Sequence, residues 1–476
     1  MKDPLQKDPA ILEDCGRPSR LPWVLAAGCV LVIFIALLLP RKEEPTARSA
    51  STANPAPIST DGAHTSTRER HFERLPNPRS SVEPAPTAEE IVSNKVVQFA
   101  RSRRKLAHAM AEHFKISFPD EFERFFDAAD AGRYDEMKDI YKSLREQRES
   151  GADKTWYGPH WRAIIETQGA ADAAHDWPAQ KLLDYGNAVL GSLRPGMVYV
   201  GGTDPGCFIP TLLNETSDGE RHIVLTQNAL ADGSYLDYLS FLYGDRMTTL
   251  TKEDNQRAFQ EYLADAQKRL QHDQRFPNEP KQIRPGEDVR VAENRLTVSG
   301  QVAVMAINEK LFQTFMQNNP SVSFAMEESF PFASTYAQAT PLGPIMELRV
   351  QDNENALTAE RAAQSVDYWR ATAQQLLSDP ATPEESDLRK AYSKMVSSQA
   401  GLLLARNYAA EAEEAFRIAN EICPSSPEAV FRFVNMLVDQ KRFQEAIQVG
   451  ENAVHAAPEN QQFGDLLAQL KTMKAK

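Results

Sequence analysis

The chain has 476 residues, enough for two or three folded units, and its 42% hydrophobic and 25% charged content excludes disorder throughout. Its 53 basic and 66 acidic residues leave a net charge of −13, which argues against a nucleic-acid-binding surface, because such affinity rests on Lys and Arg neutralising phosphates. The four cysteines, at positions 15, 29, 207 and 423, are too scattered for a disulfide framework or a CxxC metal knuckle.

Residues 21–40, LPWVLAAGCVLVIFIALLLP, carry no charge. As a helix they would reach about 30 Å, the thickness of a hydrocarbon core. Trp23 at one end and Arg41 and Lys42 at the other suit the two interfaces. A cleaved signal would have a shorter apolar run and a small-residue cleavage site, whereas Leu37, Leu38, Leu39 and Pro40 run straight into charge. A lipoprotein reading on Ala26-Ala27-Gly28-Cys29 would need polar sequence after the cysteine, where the strongest apolar residues stand instead. The expectation is an uncleaved single-pass anchor. Lys2, Lys7, Arg17 and Arg20 precede it and Arg41, Lys42 and Arg48 follow, so residues 1–20 read as a cytoplasmic tail with the bulk of the chain outside the cytoplasm.

Residues 41–86 are dominated by Pro, Ser, Thr and Ala and nearly lack large apolar side chains. Such a segment cannot bury enough surface to offset its ordering entropy and reads as a tether. Thr87-Ala88-Glu89-Glu90 has capping-box spacing and opens a helical region over 87–178. There the run Arg101, Arg103, Arg104, Lys105 reads as a solvated helix face rather than a headgroup patch. Phe122, Phe125 and Phe126, the turn Ala131-Gly132, and then Met137, Ile140 and Leu144 describe a helical hairpin resembling one tetratricopeptide-like unit.

Residues 179–350 read as an α/β domain. Apolar runs at 197–200, 222–226, 322–326 and 345–348 alternate with helical patterns at 179–193, 235–243, 253–270 and 302–316, which argues for a mostly parallel sheet covered on both faces. The loop after the first strand, Gly201-Gly202-Thr203-Asp204-Pro205-Gly206, is the tightest ligand-binding candidate, because ligands gather at the carboxyl ends of such strands. It lacks both GxGxxG spacing and a phosphate-loop ending, and Asp204 would repel phosphate while suiting a cation or sugar hydroxyls. The plainer reading is a tight turn, with glycine supplying positive φ and Asp204 capping the next helix. No catalytic or metal-ligand spacing stands out, and no cofactor is expected.

Helical patterns at 356–377 and after Thr382-Pro383-Glu384-Glu385 lead into the most specific signal, within 356–476. A 34-residue period superposes Ala412 on Ala446, Ala419 on Ala453, Pro424 on Pro458, Ala400 on Val434 and Leu403 on Leu437. Small residues where two helices cross and proline at the exit are the signature positions of tetratricopeptide repeats. Phe416 fits the bulky position between the alanines, and Gly450 departs from it. Phe463, Leu466, Leu467 and Leu470 at i, i+3, i+4 and i+7 fit a terminal cap helix.

The segments GMVYVGGTDPGCFIPTLLN, NPSVSFAMEESFPF and TPLGPIMELR resemble the soluble part that follows the membrane domain in bacterial O-mannosyltransferase-like integral membrane proteins. Gly202, Asp204, Leu342 and Gly343 are the matching positions, within about 179–349. This chain has one apolar span in place of the family's multi-span catalytic domain, so the resemblance does not carry transferase activity with it. The expected architecture is therefore a single N-terminal transmembrane helix, an α/β domain and C-terminal all-α repeats. The expected function is a membrane-anchored, non-catalytic scaffold of the cell envelope that binds a protein partner through its repeats. A glycan-related enzyme or ligand-binding module built on the Asp204 loop is the alternative. If residues 21–40 anchor the protein, carbonate washing leaves it in the membrane fraction; an N-terminus mapped beyond residue 40 overturns the anchor.

Overall fold

A computed structural model describes residues 85–151, 156–284, 286–292, 295–349, 356–383 and 386–474. The expected anchor at 21–40 and all but the end of the expected tether lie outside them. Among the described residues no helix is long and apolar enough to cross a membrane. The described elements from Ala88 onward form one compact unit.

Five helices come first: α1 (Ala88–Phe114), α2 (Asp120–Asp130), α3 (Tyr134–Ser150), α4 (Trp161–Asp176) and α5 (Ala179–Gly191). Phe122, Phe125 and Phe126 recur at helical spacing on α2 and all three are fully buried. Gly132, with φ 67°, ends that helix in the left-handed turn that glycine adopts without strain. The basic run on α1 divides. Arg101 and Arg104 pair at the surface with Asp130 and with Asp127 and Glu123 of α2. Arg103 points inward, only 4% exposed, and its Nε stands 2.8 Å from Glu166 of α4. Helical phase separates it from its neighbours, so one run supplies both a solvated face and a buried charge.

The sheet follows. In chain order come β1 (Val198–Gly201), α6 (Asp204–Glu215), β2 (Ile223–Thr226), α7 (Gly233–Tyr243), α8 (Lys252–Arg275), β3 (Asp288–Ala292), β4 (Arg295–Ser299), α9 (Gln301–Asn318), β5 (Phe324–Met326), β6 (Ala339–Leu342) and β7 (Ile345–Leu348). Strand order is β2-β1-β5-β7-β6, with β1 parallel to β2 and β5, β7 antiparallel to β5, and β6 antiparallel to β7. The expectation of an α/β domain with a mostly parallel sheet is thereby corrected. The chain is mostly helical and the sheet is small and mixed.

The difference has a physical source. Crossover helices make the β2-β1-β5 half parallel, but Leu342 and Ile345 flank a two-residue turn, and a connection that short forces antiparallel pairing. β6 went unread because ATPL contains Pro341. The tight turn makes Leu342–Ile345 a hydrogen-bonded pair, so at the next pair, Pro341–Met346, the backbone nitrogen points away from β7 and proline costs no ladder bond. The separate β3–β4 hairpin also went unread; it packs Val298 on Ala266 of α8 and Ala303 of α9 in a small second core.

Six helices close the chain: α10 (Ala359–Ser378), α11 (Asp387–Ala405), α12 (Ala409–Ile422), α13 (Pro427–Asp439), α14 (Phe443–Ala456) and α15 (Gln461–Lys474). The cap of α11 is Ser386, whose hydroxyl accepts from the Arg389 N–H, rather than Thr382. The starts of α12 and α14 lie 34 residues apart, as do those of α13 and α15. The left-handed turns at Asn407 (φ 68°) and Lys441 (φ 60°) share that spacing. Ala412, Ala419, Ala446 and Ala453 are fully enclosed, and Phe416 stacks on Phe433 with ring centroids 6.0 Å apart.

A buried ion network fastens the first helices to the sheet. Glu166 accepts from Arg162 Nε at 3.1 Å and from the Tyr238 hydroxyl at 2.8 Å, facing Arg103 from α1, while Arg162 also bonds the Thr226 hydroxyl at the end of β2. Removing Glu166 takes from Arg162 its carboxylate partner and leaves Arg103 only Glu215, at 3.6 Å, so buried positive charge goes largely uncompensated. Glu166→Ala should cost about 3–5 kcal/mol in denaturant unfolding. A loss below 1 kcal/mol, the range of surface pairs, would show that this network does not support the fold.

Candidate functional site

The loop singled out in the sequence does lie at the carboxyl end of β1, between β2 and β5. Its backbone is aimed inward, and the chain itself supplies the anion. Oε2 of Glu327, the residue after β5, accepts the N–H of Gly202 at 2.9 Å and of Thr203 at 2.8 Å, while Oε1 accepts the Thr203 hydroxyl at 2.9 Å. Thr203 also caps α6 by accepting from the Gly206 N–H at 3.1 Å, leaving Asp204 as the first helical residue rather than the cap.

None of Gly201, Gly202 and Gly206 has positive φ, so conformational freedom is not why glycine stands there. Close approach is. A side-chain carbon on Gly206 would collide with the Glu327 carboxylate, and one on Gly202 with Gln227, Ser329 and the Glu327 backbone. Gln227 secures the same loop, accepting from the Ser329 N–H at 2.8 Å and donating to the Phe330 carbonyl at 3.0 Å. Glu327 is 2% exposed. Burial raises its pKa, partly opposed by the N–H and hydroxyl donors and by the charge of Lys394.

Glu328 turns towards the C-terminal helices. Its carboxylate accepts from the Phe332 N–H at 2.6 Å and the Tyr336 hydroxyl at 2.8 Å and lies 3.8 Å from Arg432 of α13. Its backbone carbonyl accepts from Ser398 of α11 at 3.3 Å. Burial pushes its pKa up to about 7, against the pull of Arg432 and its hydrogen bonds. Beside it Lys394 of α11 pairs with Glu428 of α13 at 2.7 Å. Burial opposes the Lys394 charge, but Glu428, Glu327 and Asp204 outweigh it and raise its pKa.

The strand ends are thus stoppered by Glu327 and covered by the facing sides of α11 and α13. Cys207, buried on α6, donates its thiol to the Gly201 carbonyl at 3.1 Å. Among the described residues no three His, Cys, Asp or Glu side chains are grouped to hold a metal ion. The structure brings Gly201, Gly202, Thr203 and Asp204 together with Glu327, Glu328, Lys394 and Arg432, which sequence reasoning passed over. A signal for the two glutamates existed: adjacent acids directly after the apolar run VSFAM place carboxylates at a buried strand end. The repeat residues Ala412, Phe416, Ala419, Ala446 and Ala453 lie at helix crossings away from this cluster, with Pro424 half-buried and Pro458 exposed at the exits of α12 and α14. No protein-family model, curated protein or solved structure matches the chain.

Glu327→Ala strands two buried N–H groups and a hydroxyl, and should cost about 2–4 kcal/mol in unfolding. Glu328 titrates with the opposite consequence. Between its ordinary pKa near 4.5 and its folded value near 7, the folded state holds a proton that the unfolded state has lost, so its contribution to stability falls as pH rises through that window. Glu328→Gln removes this term, so the melting temperature of the variant relative to wild type should climb by a few degrees from pH 5 to pH 8. A flat difference would refute the buried-acid assignment.

Proposed function

We propose that the chain is a non-catalytic interaction scaffold of the cell envelope that binds a protein partner through its C-terminal tetratricopeptide-like repeats. One observation carries the reading. The strand-end crevice, where an α/β enzyme would hold substrate, is filled by the Glu327 carboxylate and covered by α11 and α13. That arrangement favours the scaffold over an enzyme using the Asp204 loop, since a substrate there would have to displace a carboxylate held by three donors.

Because α11 and α13 turn towards the strand ends, partner binding falls to the outer helices and the terminal cap. Arg442, at the cap before α14, pairs with Glu413 of α12 and, at 2.6 Å, with Glu445 in the first turn of α14, while Arg417 of α12 reaches Glu413 at 2.6 Å. These charges form a polar strip across both outer helices, suited to orienting a partner. Envelope placement rests on the sequence of residues 21–40.

The test is affinity capture with the detergent-solubilised full chain. Ala412→Leu with Ala446→Leu should overpack both helix crossings, at roughly 1–3 kcal/mol each, and abolish capture. Asp204→Asn should leave capture intact, with circular dichroism confirming the fold of each variant. Capture lost on Asp204→Asn and kept after repeat disruption would move the function to the sheet.

A further inference from the structure

The β3–β4 hairpin supplies a sheet border unlike the two borders of the larger sheet. On β2, at one side of the five-stranded sheet, the Tyr235 hydroxyl of α7 accepts the Thr226 N–H at 2.7 Å. On β6, at the other side, Arg406 donates to the Ala339 carbonyl at 3.4 Å. β3 has no such cover. Its neighbour β4 packs on α8 and α9, where Val298 is 2% exposed against Ala266 and Ala303. Two residues separate Ala292 from Arg295, and a connection that short makes them a hydrogen-bonded pair. Alternation makes Arg290–Thr297 and Asp288–Ser299 bonded pairs as well, so the N–H and C=O groups of Val289 and Val291 point away from β4. Among the described residues neither is bonded on that side.

The side chains of this border are arranged to suit a copy of themselves. Val289 and Val291 share one face; Val289 joins the small second core, while Val291 is 61% exposed, the most open large apolar side chain among the described residues. On the other face Arg290 Nε donates to Asp288 at 2.6 Å, their side chains 65% and 33% exposed, and Ser299 donates to Asp288 at 3.4 Å. An acid and a base two residues apart on an edge are complementary to the same strand run antiparallel. Pairing about Val289 sets Asp288 of each copy opposite Arg290 of the other and Val291 opposite Glu287. A shift of half a step, to pairing about Arg290, would oppose two guanidinium groups and is disfavoured. Charge thus selects both the occupant and its register.

We propose that β3 is the docking edge for a second copy of this chain, the two hairpins joining into a four-stranded antiparallel sheet, β4-β3-β3-β4, across a two-fold axis. Short edges make a small interface, so the dimer is weak and depends on concentration and salt. Sedimentation velocity of the detergent-solubilised full chain across a concentration series tests it, and a monomer–dimer equilibrium is expected. Val291→Pro removes an outward N–H that β4 does not use, so it should weaken dimerisation about tenfold or more with the melting temperature near wild type. Asp288→Arg and Arg290→Asp should each be monomeric alone, because like charges then face one another across the axis. An equal mixture of those two variants should dimerise again, since each restores the opposite charge to the other. That rescue separates a lost contact from a lost fold. The proposal is overturned if wild type stays monomeric up to about 1 mM, the scale of a weak pair. It is equally overturned if the dimer survives Val291→Pro and both charge variants, or if the mixture of folded charge variants stays monomeric. Disrupting the repeats at Ala412 and Ala446 should leave dimerisation in place, which separates it from partner capture.

Discussion

The carboxylate of Glu327 is the constraint around which the sheet and the C-terminal helices are arranged. It leaves β5 and is held by backbone donors that follow β1, so the two central parallel strands are joined at their ends as well as along their ladder. Gly206 gives way to it and Gly202 to its backbone, α6 starts immediately beyond that loop, and the next residue, Glu328, meets α13. A buried acid of this kind gains nothing from being charged in the abstract. Its donors and the nearby Lys394 make the site tolerable, and they commit the loop to a single conformation.

That commitment links the two halves of the protein. α11 contributes Lys394, Ser398 and Gln399, with Arg406 capping its end, and each bonds or pairs with a different neighbour. Arg406 alone reaches the Tyr336 and Ala337 carbonyls, at 3.0 and 3.1 Å. A helix used so fully on one face belongs to the sheet as much as to the helical array behind it. A hydrophobic interface alone would permit sliding, whereas directional bonds to carbonyls fix the register.

How much of this could be read beforehand depended on whether the cause was local. The helix spacings at 34 residues and the enclosed alanines follow from packing that each stretch of sequence encodes for itself. β1 and β2 were legible because short β-branched runs stood between clear turns. The sheet's mixed character was not, since strand direction is decided by the length of a connection, and Pro341 hid the strand that sets it. The loop at 201–206 was found, but its glycines suggested an approaching ligand when the approaching group was a side chain 124 residues away. Proximity of that kind leaves no periodic trace. Arg103 shows the same limit in reverse: its neighbours in sequence face water, and only the location of Glu166 explains why it does not.

The proline in β6 has a consequence for how the molecule meets others of its kind. A sheet edge exposes alternate backbone donors and acceptors, and any extended chain can dock there by continuing the ladder. Pro341 occupies the outward position of a four-residue border strand, so an incoming chain finds a missing donor midway along it. Strand-by-strand growth into fibrils therefore meets a built-in stop on this side. A strand added there in register would lack one ladder bond, which weakens the addition.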